Sequence, residues 1–200
     1  VLERDENLRK EIFTISRQQR NILYGHQSFA VWMTGLSGSG KSTLANLLQE
    51  ALFKSSIHCF VLDGDNTRMH LNKDLDFSRE GRKENIRRIA EVAALFVQAG
   101  IIPIVSFISP FQEDRQTARE IIGSDFFHEV YINASLSNCE SRDTKGLYQL
   151  ARSGKIQDFT GVSSPYEIPT AADLILETGT QSERQCLDIL YQFVLDKARI

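Results

Sequence analysis

The residues best suited to chemistry lie together in Gly35-Leu36-Ser37-Gly38-Ser39-Gly40-Lys41-Ser42, followed by Thr43. Glycine, four residues, then Gly-Lys-Ser/Thr is the spacing of a phosphate-cradling loop. Glycines at 35, 38 and 40 let backbone N–H groups approach an anion with no Cβ in the way. Lys41 supplies a point charge for the β- and γ-phosphates, and Ser42 offers a hydroxyl to Mg²⁺. If the loop opens a helix, the helix dipole adds to the same field. A flexible Gly/Ser linker would need neither the lysine nor the apolar periodicity on either side. The ligand implied is a nucleoside triphosphate such as ATP.

Other polar groups gather where they could serve that ligand. Asp63 and Asp65 follow an apolar run in Leu62-Asp63-Gly64-Asp65-Asn66, expected to be a loop, and Ser109 ends a further apolar run. Phosphoryl transfer needs a cradle, a metal, a group that orients the nucleophile and an acceptor pocket. Two carboxylates one glycine apart divide naturally into a metal holder, Asp63, and a proton acceptor, Asp65. Arg68, Arg82, Arg87 and Arg88 surround the expected acceptor side. Phe77 and Phe159 could sandwich a flat base.

These groups need elements to carry them. Phe29–Thr34 reads as a buried strand entering the loop. Lys41–Leu52 reads as the helix leaving it, apolar at Leu44, Leu47, Leu48 and Ala51. A short flanking helix is expected within 14–24 and a second strand over Ile57–Leu62. A long helix over Arg79–Ala99 is capped by Ser78 and stopped by Gly100. Its stripe of Ile86, Ile89/Ala90, Ala93 and Phe96/Val97 extends back to Asn85 and Arg82, which should therefore face a cleft at the sheet's edge. Ile101–Ile108 predicts a strand covered on both faces, paired only beyond Pro103. A helix over Glu113–Ile122 and strands over Phe127–Ile132 and Asp173–Leu176 follow. Ser182 with Gln185 forms a capping box for the last helix, striped by Leu187, Leu190 and Phe193/Val194. The polar, glycine-punctuated stretch 137–164 reads as a mobile lid rather than core. Strands alternating with helices make an α/β fold, a doubly wound and mostly parallel sheet with helices on both faces. The expected organisation is a flanking segment over 1–24 and one domain over 25–200.

A formal charge of −3 gives no surface for coating nucleic acid or seeking a membrane, so local cations must hold any anionic ligand. No run of eighteen apolar residues suggests a transmembrane helix, and the charged N-terminus does not read as a secretory signal. Cys59, Cys139 and Cys186 are odd in number and widely spaced. They read as small buried hydrophobes in a reducing, cytoplasmic setting.

Taken in order, the motifs resemble the adenylylsulfate kinase family. They are Trp32-Met33-Thr34 running into the phosphate loop, Leu62-Asp63-Gly64-Asp65-Asn66 with Arg68, and Asp74-Leu75-Asp76-Phe77-Ser78. After these come Arg82, Glu84-Asn85-Ile86-Arg87-Arg88, Phe107-Ile108-Ser109-Pro110, Cys139-Glu140-Ser141-Arg142-Asp143 and Lys145-Gly146-Leu147-Tyr148. Phe159-Thr160-Gly161 and Pro165-Tyr166-Glu167 complete the set. The resemblance implies transfer of the γ-phosphoryl of ATP, with Mg²⁺, to the ribose 3′-hydroxyl of adenosine 5′-phosphosulfate, in a homodimer. It implies that Phe77 and Phe159 stack on the acceptor adenine. Arg68, Arg82 and Asn85 would hold the phosphosulfate and ribose, Ile108 and Ser109 would line the pocket, and Lys145 would belong to the lid. The family is expected to carry glycine where His70 and Asp76 stand, and an acidic residue where Gly81 stands. A kinase for a sugar acid or nucleotide would share Lys41 and Ser42 but not the Phe77/Arg82/Asn85/Phe159 set. A guanine-nucleotide switch fails because Asn72-Lys73-Asp74-Leu75 has leucine where an aspartate is required, and Asp143-Thr144-Lys145-Gly146 follows no apolar strand.

Overall fold

Strand β1 (Ala30–Thr34) is buried at every position and lies at the centre of the sheet. It is flanked by β3 (Ile102–Ser106) and β4 (Phe127–Asn133), with β2 (Cys59–Asp63) and β5 (Leu174–Glu177) at the edges. All four pairings are parallel, in the order β2-β3-β1-β4-β5. These relations come from a computed structural model that describes residues 9, 11 and 13–200. Residues 1–8, 10 and 12 of the expected flanking segment lie outside the described residues.

Parallel neighbours need long crossovers, and helices supply them. The alternation along β1 separates two core layers. Val31 and Met33 pack with Leu44, Leu48 and Leu52 of α2 (Lys41–Lys54) and with Leu190 and Val194 of α8 (Glu183–Ala198). Ala30 and Trp32 pack with Ile86, Ile89, Ala90 and Ala93 of α4 (Arg79–Gln98) and with Ala118 and Ile122 of α5 (Gln112–Ile122). Ser78 caps α4 and the Ser182–Gln185 capping box opens α8. The flanking helix α1 (Arg17–Tyr24) starts at its own capping box, Ser16 with Gln19. From β1 the chain crosses to β2 on one side, and β4 later joins on the other. Its C-terminal end is therefore a switch point where a crevice forms.

Three expectations are corrected. Pro103 lies inside β3, in register with Phe60 of β2. Ile102 donates to His58 on the β2 side (2.9 Å), so the Pro103 nitrogen faces β1, whose register with β3 begins only at Ile104. No partner is there to miss its N–H. The Asp-Gly-Asp-Asn stretch is not a loop: Asp63 ends β2 and Gly64–Met69 form a short helix, α3. Finally, 137–164 is not without core. It holds α6 (from Leu136 to Arg142) and α7 (Leu147–Arg152), and Cys139, Tyr148, Ala151 and Phe159 join Ala134 in a satellite cluster. Among the described residues no helix is long and apolar enough to cross a membrane.

Candidate active site

The loop 35–40 leaves β1 and delivers Lys41 to the first turn of α2. Gly35 is required less by a ligand than by β4: a Cβ there would sit 2.6 Å from the Ile132 carbonyl. Gly38 has φ +74°, and a Cβ would press on the Cys139 carbonyl at 3.0 Å. The Lys41 ammonium donates to the carbonyls of Gly35 (2.9 Å) and Leu36 (2.7 Å). Burial pushes its pKa down to about 8, opposed by Cys139, Asp63 and Asp65 nearby. Ser37, Ser39, Gly40 and Thr43 complete the cradle at the head of α2.

Behind it, the Ser42 hydroxyl donates to Asp63 Oδ2 at 2.8 Å and lies 3.4 Å from the Ser106 hydroxyl. Asp63 Oδ1 accepts the Asp65 N–H (3.0 Å), which caps α3 and fixes the carboxylate. Sheet register sets Asp63 opposite Ser106, a buried serine not singled out in the sequence. Two hard oxygens at this spacing, next to a phosphate loop, fit Mg²⁺, which keeps waters and takes its other ligands from substrate phosphates. Among the described residues no group of three His, Cys, Asp or Glu competes as a metal site. Asp65 points the other way and contacts the ammonium of Lys145, which raises the lysine's pKa.

Arginines assemble the acceptor side from distant segments. Arg82 donates from Nε to the Phe77 carbonyl (2.8 Å), and from its terminal nitrogens to the Thr160 hydroxyl (2.7 Å) and the Asp158 carbonyl. Arg68 donates to the carbonyls of Leu75 and Asp76 (both 3.1 Å) and lies 4.3 Å over the Phe77 ring. Phe77 is 61% exposed, whereas Phe159 is turned edge-on into Tyr148 and 9% exposed. Asn85 is buried and accepts from Asn72 at 2.9 Å. Phe77, Arg79, Arg82, Phe111 and Asp158 line a small cleft of about 190 Å³. A wider cleft of about 650 Å³ opens beside Leu36, Tyr131 and Tyr166, with neutral polar and apolar side chains and no charged one in its wall.

Ser109 has φ +38°, a left-handed conformation that costs a non-glycine residue energy. Three side chains hold it there, one of them Thr34, whose hydroxyl donates to the Ser109 carbonyl at 3.4 Å. Trp32 Nε1 donates to the Ser109 hydroxyl (3.2 Å), Arg115 donates to the same carbonyl (2.8 Å), and Arg115 is itself paired with Glu129 (2.6 Å). Ile108 is half-buried, and its carbonyl accepts from the Thr34 hydroxyl at 2.7 Å. In the sequence Trp32 and Thr34 stand in the motif that runs into the phosphate loop but have no role of their own, and Arg115 and Glu129 carry no motif signal. The departures at His70 and Asp76 bring no positive φ: among the described residues the non-glycine positions with positive φ are Ser56, Ser109 and Asp158. Asp76 Oδ1 accepts from the N–H (3.1 Å) and hydroxyl (2.6 Å) of Ser78. A Cβ at Gly81 would collide with that carboxylate and lie 2.7 Å from the Asp76 carbonyl oxygen.

A parallel sheet with a phosphate loop at its switch point, a hydrogen-bonded serine–aspartate pair beside that loop and a separate basic face define a small-molecule kinase of the P-loop type. A sugar kinase from Janibacter shares that fold at a TM-score of 0.58 and 17% identity. The chain belongs to the adenylylsulfate kinase family: the profile described as adenylylsulphate kinase matches residues 27–177. Adenylyl-sulfate kinase of Bacillus licheniformis is 51% identical over 186 residues, covering 93% of this chain and 94% of that protein. The Prochlorococcus marinus enzyme is 56% identical over 175 residues, covering 88% and 87%. The Mycobacterium tuberculosis APS kinase CysC, solved in complex with AMPPNP and APS, superposes at a TM-score of 0.79 with 43% identity. That superposition covers 85% of this chain and 98% of that one.

Proposed function

We propose that the chain transfers the γ-phosphoryl of ATP to the ribose 3′-hydroxyl of adenosine 5′-phosphosulfate, releasing ADP and 3′-phosphoadenylylsulfate. The observation that carries this reading is a complete phosphate cradle set beside an acceptor face in which Arg82 joins Phe77 to the Asp158–Thr160 segment. Lys41 swings from the loop carbonyls to the β- and γ-phosphates, which turns a self-bonded loop into an anion site. Ser42 and Asp63 would hold Mg²⁺, which would supply charge neutralisation on those phosphates. The acceptor's 3′-oxygen attacks the γ-phosphorus in line, the bridging oxygen leaves with ADP, and Asp65 takes the hydroxyl proton.

On the acceptor side Phe77 and Phe159 stack on the adenine, and Arg68, Arg82 and Asn85 hold the phosphosulfate and ribose. Ile108 and Ser109 line the pocket. Lys145, on a lid spanning about 137–164, leaves Asp65 as the acceptor enters. Ser109 acts as a positioning residue rather than a phosphorylated relay. The residue is 2% exposed, its hydroxyl accepts from Trp32, and the hydrogen bonds around it include no base to activate it. A cytoplasmic homodimer completes the proposal.

A coupled ADP-release assay with Mg-ATP tests this. ADP should appear only when adenosine 5′-phosphosulfate is added, with ³¹P NMR locating the new ester on the 3′-oxygen. Equal release with a sugar acid, or with no acceptor, would overturn it.

A further inference from the structure

Five consecutive carbonyls of the cradle are held by side chains. Lys41 takes Gly35 and Leu36, Tyr148 takes Ser37 (2.9 Å), Arg142 takes Gly38 (3.4 Å) and Thr178 takes Ser39 (2.7 Å). A trans peptide is planar, so fixing one residue's C=O also fixes the next residue's N–H, pointing the opposite way. The bond from Tyr148 therefore aims the Gly38 N–H into the concave side of the loop, where backbone donors receive phosphate. Gly38, at φ +74°, has no side chain through which its orientation could be set otherwise.

Tyr148 reaches the loop from α7, and its ring is buried edge-on against Phe159, with centroids 5.0 Å apart and planes at 81°. One side chain thus touches the donor cradle through oxygen and the acceptor platform through carbon. We propose that Tyr148 is a positioning residue that holds these two half-sites in register. Its hydroxyl presets the Gly38 N–H for ATP phosphate, and its ring presets Phe159 for the acceptor base. The acceptor half rests on the role of Phe159 given above, and the donor half does not. Burial lifts the Tyr148 hydroxyl well above the ordinary phenol range, so it remains a donor at any working pH.

Tyr148→Phe keeps the ring and removes the donor. It should weaken binding of a non-hydrolysable ATP analogue to the acceptor-free protein roughly 2- to 10-fold, the scale of one neutral hydrogen bond. The acceptor KM at saturating ATP should not move. Tyr148→Leu should raise both constants. Unchanged analogue affinity in Tyr148→Phe, or an equal rise of both constants, overturns the proposal, and this variant decides alone should Tyr148→Leu not fold. Phe159→Leu separates the two readings. If it leaves the acceptor KM unmoved, the assignment of Phe159 fails, while the donor arm of the Tyr148 test stands.

Discussion

On the donor side the cradle hangs from the most buried strand of the sheet, and the Lys41 ammonium already bonds to the loop that carries it. On the acceptor side Arg68, Arg82 and Lys145 bridge segments up to 80 positions apart and bond to carbonyls, a hydroxyl and a carboxylate. One half is a local motif on a rigid support. The other is tertiary, and its cations are occupied by the protein itself when no ligand is bound. An anion entering the acceptor side must therefore displace existing partners. A phosphate entering the cradle has chiefly to draw Lys41 away from two carbonyls.

That contrast can be broken experimentally. Lys41→Ala should abolish transfer, at least about 10³-fold in kcat, since a preorganised cation on the migrating charge is lost. The melting curve should stay near normal, and near-normal turnover would remove Lys41 from the mechanism. Asp65→Asn should cost about 10²-fold in kcat with both substrates still binding, as expected for a lost proton acceptor. If it instead raises only the Mg²⁺ requirement, Asp63 and Asp65 exchange roles. Phe77→Ala should weaken acceptor binding by about 1–3 kcal/mol, the scale of base–aromatic stacking, and leave the ATP constant in place. Equal movement of both constants would merge the two halves that the structure keeps apart.

The smallest effect concerns pH. Burial holds the pKa of Lys41 near 8 in the empty protein, below its ordinary value. The charged form binds phosphate, so ATP-analogue affinity should be level below about pH 7 and about twofold weaker at pH 8, falling further above. Stability runs the other way. Between about pH 8 and 10.5 the unfolded lysine holds the proton that the folded one has released, so this group's contribution to stability rises with pH. Calorimetry in buffers of different ionisation enthalpy should detect proton uptake on binding at pH 8.5, and none if the lysine titrates normally.

Much of the donor side was legible because it is local. The strand, the glycine spacing and the helix opening at Lys41 are contiguous, and periodicity alone carried Arg82 to the cleft, whereas Asn85 lies buried against Asn72. The Asp63–Met69 helix was missed because Asp-Gly-Asp reads equally as a turn, although Asp63 acting as an N-cap was a usable signal. The packing of Phe159 on Tyr148 was hidden for another reason. Their cluster draws single apolar residues from a polar segment, and such a core has no period to detect. Ser106 became visible only through its register with Asp63, a relation between strands that one strand cannot announce.

The contact between Asp76 and Gly81 ties two positions together in inheritance. The Asp76 carboxylate holds the 76–78 turn through Ser78, and a Cβ at 81 would meet both that carboxylate and the Asp76 carbonyl oxygen. The carbonyl belongs to the backbone, so Asp76→Gly alone does not clear the space. A side chain at 81 can be inherited only together with a shift of the turn itself.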